Sequence, residues 1–165
     1  MSIQTCCFTG HRHLPADKIE DIKKRLNDEL DRLYHQGVRR FISGGAIGFD
    51  RMDAAAVAEK HGQGWDLQLI SALPCENQSE RWTDTQRQNY QHLLDKANEI
   101  IYISKEFTPD CMKKRNFYMV DNSQVCICAY LFEKSGAGQT LRYAKQKGLE
   151  IINIALTNPK NQNFQ

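Results

Sequence analysis

Three short segments combine glycine with polar or charged residues and are the parts of this sequence best suited to chemistry. They read TGHR at residues 9–12, SGGAIGFD at residues 43–50 and SGAGQT at residues 135–140. Glycine beside a helix N-terminus exposes backbone N–H groups at the positive end of the helix dipole, which favours anions. The three segments therefore predict a site for a phosphate-bearing ligand.

The same glycines also have a structural interpretation, because glycine after a strand often only permits a tight turn or close packing. The sequence leaves both interpretations open. No segment matches the G-x-x-x-x-G-K-[ST] pattern of P-loop NTPases or the G-x-G-x-x-G pattern of dinucleotide-binding folds. Both of those classes are disfavoured. If the segments bind a ligand, replacing Gly45 with valine should block binding and leave the fold intact.

Charged and aromatic side chains near these segments could complete a site. Arg12 could pair with a phosphate or carboxylate, and His11 could bind a ribose hydroxyl or shuttle a proton. Asp50 could bind a sugar hydroxyl or simply complement a helix dipole. Arg115 could be an anion ligand or a surface residue. Trp82 could stack on a base or pack in the core.

The candidate site residues fall into two groups. The candidates for a catalytic role are Asp50, His11 and Arg115. The predicted ligand-binding residues are Thr9, Gly10, His11, Arg12, Ser43, Gly44, Gly45, Asp50, Trp82, Arg115, Asn116, Gly136, Gly138 and Thr140.

A metal site is not expected. The six cysteines include no C-x-x-C pair, and no two histidines stand out by the spacing of a metal-binding pair. Cys126 and Cys128 alternate within an apolar segment, which indicates small packing residues of a buried strand. We expect the cysteines to be reduced, with Cys6 and Cys7 pointing to opposite faces of the sheet.

Alternating strands and helices are predicted to position these residues. The predicted strands are 3–8, 38–42, 67–70 (ended by Pro74), 99–104, 124–131 and 150–155. The predicted helices are 17–36, 48–61, 79–97, 113–120 and 138–147. This alternation predicts an α/β, Rossmann-like three-layer sandwich, with a mostly parallel sheet of about six strands and helices on both faces. The expected strand order is 3-2-1-4-5-6, with the ligand crevice between strands one and four.

Length and charge limit the remaining possibilities. The 165 residues favour one domain, over 1–156, with a flexible tail over 157–165. No apolar run is long enough for a membrane span and no export signal is recognisable, so a cytoplasmic location is expected. The net charge of only +2, from 22 basic and 20 acidic residues, argues against nucleic acid as a partner.

Taken in order, the motifs resemble the YpsA-like branch of the SLOG superfamily. They comprise TGHR at 9–12, SGGAxGFD at 43–50, PxxxQxxxW at 74–82, Arg115-Asn116 and DxS at 121–123, within a resemblance that runs from about residue 6 to residue 154. The resemblance implies a Rossmann-like fold, a site for a nucleotide or nucleotide-derived ligand, and a homodimer. Such proteins are known mainly from bacteria and their phages, and some relatives are proposed as sensors of nucleotide-derived signals.

Two related groups in the superfamily suggest alternative functions. The lysine decarboxylase-like LOG enzymes cleave N-glycosidic bonds, and their pattern has an acidic residue where Leu141-Arg142-Tyr143 stand here. A carboxylate normally stabilises the cationic sugar of that reaction, so LOG-type catalysis is disfavoured. Three hypotheses follow: a nucleotide-binding protein that serves as a sensor; a hydrolase of nucleotide or ADP-ribose-type bonds; and a single-stranded nucleic-acid binder, as the DprA/Smf relatives are.

Overall fold

The structure is a computed structural model that describes residues 4–131 and 136–156. Within these ranges, the strands are β1 (Gln4–Gly10), β2 (Val38–Ser43), β3 (Gln68–Cys75), β4 (Glu99–Ser104), β5 (Val125–Ala129) and β6 (Glu150–Asn153). The helices are α1 (Ile19–His35), α2 (Phe49–Gly62), α3 (Asp84–Lys96), α4 (Cys111–Asp121) and α5 (Gly136–Gln146), with a 3-10 turn at Ala16–Lys18 before α1. The tail predicted over 157–165 lies outside the described residues.

The six strands form one sheet in which every neighbouring pair is parallel. Their order is β4-β3-β2-β1-β5-β6. This confirms the α/β, Rossmann-like class, because a helix links each strand to the next along the chain and all the strands are parallel.

The predicted order 3-2-1-4-5-6 is wrong in one position, since β4 lies outside β3 and not between β1 and β5. The physical reason lies in the side chains of β4. Glu99, Ile100 and Tyr102 are exposed, as suits a strand at the edge of a sheet. By contrast, all five residues of β5 are buried, as an inner parallel strand requires. The direction of winding therefore reverses between β1 and β5, and the predicted crevice moves to that point.

Helices cover both faces of the sheet and bury two separate cores. Phe8, Phe41 and the apolar stripe of α1 belong to the core on the side of α1 and α2. Met119 of α4 and Leu141 of α5 belong to the core on the opposite side. Cys6 lies in the first core and Cys7 in the second, which confirms that they point to opposite faces. No helix of the described ranges has the length and hydropathy needed to cross a bilayer.

Two element boundaries differ from the prediction by five residues, while the others differ by at most two. α3 begins at Asp84 and not at residue 79, because Thr83 and Gln86 form a reciprocal capping box that fixes the helix start. β3 continues through Pro74, because β3 pairs with β2 only as far as Ser71 and beyond that residue pairs only with β4. A proline is tolerated where one side of the strand is unpaired.

Candidate ligand-binding site

Gly10 and Gly48 let the segment after β1 pack directly against the start of α2. A Cβ on Gly10 would lie 2.5 Å from Cδ2 of Phe49. A Cβ on Gly48, whose φ is +91°, would lie 2.1 Å from the carbonyl oxygen of Arg12. The N–H of Phe49 donates to the carbonyl oxygen of His11 at 3.3 Å. The segments after β1 and β2 therefore lie together, and close packing explains these two glycines.

Arg115 and Asp50 converge on Gly44 from opposite sides of the sheet. Arg115, only 5% exposed, extends from α4 and donates from Nη1 to the carbonyl oxygen of Gly44. Its Nε donates to Oδ1 of Asn116 at 2.8 Å. A Cβ on Gly44 would lie 2.8 Å from Oδ2 of Asp50 and 2.9 Å from Nη1 of Arg115. Glycine at this position is what allows a cation and a carboxylate to approach each other.

The carboxylate of Asp50 also shapes the glycine segment. Its Oδ2 accepts a hydrogen bond from the N–H of Ala46 at 3.1 Å, and the hydroxyl of Ser43 donates to the carbonyl oxygen of Asp50 at 3.1 Å. Loss of solvent raises the pKa of Asp50, while the Arg115 charge and the Ala46 N–H oppose that rise. Burial likewise lowers the pKa of Arg115, and Asp50 opposes the change. Each group thus partly offsets the cost of burying the other.

Asp53 is a buried acidic residue that the sequence analysis missed. It lies one helical turn after Asp50, is 0% exposed, and neither carboxylate oxygen has a hydrogen-bond partner in the described residues. Burial and the Asp50 charge raise the pKa of Asp53 well above its usual value, and Ser43 and Arg115 oppose this only in part. The available signal was an acidic residue directly before the run Ala54-Ala55-Ala56, in a helix that must pack on the sheet.

One ring nitrogen of His11 is hydrogen-bonded to the protein backbone. Its Nε2 accepts a hydrogen bond from the N–H of Leu131 at 2.7 Å, and its ring lies 5.3 Å from that of Tyr130. Burial lowers the pKa of His11, so the imidazole is neutral at neutral pH. Arg12, the next residue, is exposed and carries its charge into solvent.

Trp82 packs against protein and leaves little room for a ring beside it. Its ring centroid lies 5.0 Å from that of Tyr90, in an edge-to-face arrangement. The adjoining cavity, which Asp50 and Leu94 also line, measures about 40 Å³. A space of this size holds a few water molecules and not a nucleobase. Burial raises the pKa of Tyr90 to about 12, so this phenol stays protonated.

Glycine at position 45 is required by the fold itself, whether or not a ligand binds there. Its φ is +70°, and a Cβ there would lie 2.3 Å from Cδ2 of the buried Leu73. The expectation that Gly45→Val leaves the fold intact is therefore wrong. The carbonyl oxygen of Gly45 accepts a hydrogen bond from Nε2 of Gln78 at 3.4 Å, and the same nitrogen lies 3.2 Å from the hydroxyl of Tyr90.

The third glycine segment forms the first turn of α5, which packs against β1 and β6. Gly136 is exposed, whereas Gly138 and Thr140 are buried. The hydroxyl of Thr140 donates to the carbonyl oxygen of Gly136 at 3.0 Å, so its hydrogen bond is made within α5 itself. Thr9 is buried in β1 opposite Cys128 of β5. Ser135 lies outside the described residues.

The strand ends thus gather a basic and an acidic group but no cluster of metal ligands. Within residues 4–131 and 136–156, no group of three or more His, Cys, Asp or Glu side chains is arranged to hold a metal ion. All six cysteines are free and buried.

Comparison with known sequences identifies relatives along most of the chain. A sequence model of YpsA, described as the YspA SLOG family, matches residues 6–157. The SPbeta prophage-derived protein YoqJ of Bacillus subtilis is 34% identical over 144 residues, which cover 78% of this chain and 81% of YoqJ. A UPF0398 protein of Bacillus cereus is 28% identical over 137 residues, which cover 82% of this chain and 74% of that protein.

Comparison with solved structures shows the same fold in DNA processing protein A, DprA. The Streptococcus pneumoniae protein superposes with a TM-score of 0.66 at 14% identity, over 92% of this chain and 50% of that one. The Helicobacter pylori protein, described for its single-stranded DNA binding mode, gives a TM-score of 0.65 at 19% identity, over 91% and 64%. This chain therefore spans half to two-thirds of the DprA chains.

Proposed function

This chain belongs to the YpsA (YspA SLOG) family, and we propose that it binds a nucleotide or nucleotide-derived ligand at the carboxyl edge of its sheet and acts as a sensor of it. One observation carries the proposal: Arg115 and Asp50 converge on Gly44, where the strands end. Parallel α/β sheets bind ligands beyond the carboxyl ends of their strands. A cation beside a hydroxyl-accepting carboxylate suits the phosphate and ribose of a nucleotide.

The side chains divide into contacting and positioning groups. Arg12 is exposed beside the site and supplies a charge for a phosphate. The partly exposed Asp50 accepts from a sugar hydroxyl. Arg115, held by Gly44 and Asn116, fixes the glycine segment and contributes positive potential from below. Sensing is favoured over catalysis because Leu141-Arg142-Tyr143, which stand where LOG enzymes carry an acidic residue, include no carboxylate.

Hydrolysis of an N-glycosidic bond is a second candidate, and the raised pKa of Asp50 is the observation that favours it. A carboxyl group with a raised pKa beside an accessible edge could protonate or stabilise a leaving base. The test is to incubate the protein with AMP, NAD and ADP-ribose and follow release of free base by chromatography. Release that disappears in Asp50→Asn would favour the hydrolase, and intact ligands would exclude it.

Binding is tested by thermal denaturation in the presence of mononucleotides, NAD, ADP-ribose and cyclic dinucleotides. A ligand at one hundred times its Kd adds about 2.7 kcal/mol to the free energy of unfolding. For a chain of this size that raises Tm by roughly 5–10 °C. A single-stranded oligonucleotide belongs in the panel because of the DprA fold, and the net charge of +2 leads us to expect no effect from it.

Arg12→Ala should weaken binding of any stabilising phosphate ligand by about ten-fold, because one charge-assisted hydrogen bond is lost. Lys23→Ala is the matched control, since it removes an exposed positive charge from α1. Equal effects of the two substitutions would show that only net charge matters. Failure of every nucleotide to stabilise the wild-type protein would refute the proposal.

A further inference from the structure

A second, larger recess lies between the end of β3 and the start of α4. This recess, called the Phe107 groove, has a volume of about 360 Å³ and is lined chiefly by Asn77, Gln78, Glu80, Arg81, Phe107 and Met112. Its volume is within the range of small-molecule sites, whereas the cavity beside Trp82 measures about 40 Å³. A planar ring of nucleobase size therefore has space in the groove and none beside Trp82.

The groove presents large apolar side chains that the fold leaves unpacked. Phe107 is 61% exposed and Met112 is 44% exposed. A phenyl ring offers a flat surface for stacking, and methionine adapts its shape to an aromatic neighbour. Together they provide the stacking surface that the sequence analysis assigned to Trp82.

Gln78 gives the groove a specific hydrogen-bonding requirement. The carbonyl oxygen of Gly45 can only accept, so the amide atom facing it must be Nε2, and this fixes the orientation of the Gln78 side chain. Nε2 also lies against the hydroxyl of Tyr90. Oε1 is left buried, with no hydrogen-bond partner in the described residues. Because Oε1 has no accessible surface in the unliganded protein, a ligand N–H in the groove satisfies this acceptor only when the Gln78 amide turns toward the groove.

We propose that the Phe107 groove holds the base of the ligand, a planar nitrogen heterocycle with an N–H donor, stacked on Phe107 and hydrogen-bonded to Gln78. This inference rests on the proposed nucleotide function and assigns its base subsite. Gln78 contacts the glycine segment at Gly45 and also lines the groove. A base in the groove therefore has its sugar and phosphate at the glycine segment, near Asp50.

The experiment compares binding of AMP, GMP, CMP, UMP and ribose 5-phosphate to wild type and Phe107→Ala by calorimetry. Loss of one stacking surface should weaken the tightest-binding mononucleotide by about ten-fold or more. Ribose 5-phosphate, which has no base, should bind both proteins equally. Ile100→Ala is the matched control, because Ile100 is 39% exposed at the opposite end of β4.

The outcomes separate the subsite from the function. A loss for the mononucleotide but not for ribose 5-phosphate, absent in Ile100→Ala, supports the groove. A mononucleotide that binds wild type and Phe107→Ala equally overturns the groove and leaves the proposed function standing. Failure of all four mononucleotides to bind wild type overturns the base subsite, and the proposed function falls with it when NAD, ADP-ribose and cyclic dinucleotides also fail to bind. Because Phe107 is largely exposed, the variant should fold, which circular dichroism would verify.

Discussion

Replacing Asp53 with asparagine should change the pH dependence of stability more than stability itself. The carboxyl group is 0% exposed, neither oxygen has a hydrogen-bond partner in the described residues, and the nearby Asp50 and Cys7 oppose its ionisation. Ser43 and Arg115 favour ionisation but do not compensate for burial. Asparagine has nearly the same shape and cannot ionise, so the substitution removes the proton equilibrium and preserves the packing.

The sign follows from the raised pKa of Asp53. Above the ordinary aspartate pKa near 4, the unfolded chain loses this proton while the folded chain keeps it. Stability is therefore fully present below that pH and declines as pH rises, until the pKa of the folded state is passed. The contribution of one such proton is at most about 1.4 kcal/mol per pH unit. Asp53→Asn should abolish this decline and become progressively more stable than wild type as pH increases.

The assay is urea unfolding of wild type and Asp53→Asn at several pH values between about 4 and 8. The difference between the two proteins is the informative quantity, because carboxylates that do not interact with Asp53 affect both equally. Asp66→Asn is the control, since Asp66 is exposed and its substitution should preserve the wild-type pH curve. Parallel curves for wild type and Asp53→Asn would refute the reasoning, because they would show that Asp53 ionises while buried.

Three further predictions concern the glycine segment, a helix cap and the thiols. Gly45→Ala should lower the free energy of unfolding in urea by at least about 1–2 kcal/mol, because its φ is +70° and the new Cβ would press on Leu73; an unchanged midpoint would contradict this. Thr83→Ala should cost about 1 kcal/mol by removing the capping box of α3, while the exposed Thr85 of the same helix provides a control substitution of negligible effect. All six cysteines are at most 1% exposed, so a thiol reagent should label the native protein slowly and the unfolded protein at six sites; rapid labelling without denaturant would be inconsistent with their burial.

The sequence predicted the fold class because local patterns repeat along the chain. The apolar residues of α1 recur at helical spacing, and the run VCICA is apolar on both faces, as an inner parallel strand must be. The position of β4 was not predicted, because strand order depends on the edge of the sheet to which each helical connection carries the next strand. The exposure of Glu99 and Tyr102 identifies β4 as an edge strand only after the sheet is assembled.

The candidate site was predicted in part, for a similar reason. The glycine segments and Arg115 stand out by residue type, and the structure brings Gly44, Asp50 and Arg115 together. Asp53 was missed because it stands out only as a buried carboxyl group with no hydrogen-bond partner in the described residues. The Phe107 groove was missed because it stands out only through large apolar side chains that remain exposed. Both properties arise from tertiary structure, and neither leaves a periodic pattern in the sequence.

The placement of β1 in the middle of the sheet has a consequence for synthesis on the ribosome. Its partner β2 follows closely, but Thr5 donates a hydrogen bond to Gln124, 119 residues later, at the start of its other neighbour β5. A nascent chain that ends before Cys111 therefore carries an open inner edge on β1, and because it lacks α4 and α5 the apolar face around Ile42 and Ile70 is uncovered. Such an edge is a template for pairing with other chains. Translational pausing in the second half of the message should therefore favour aggregation or chaperone capture of this protein.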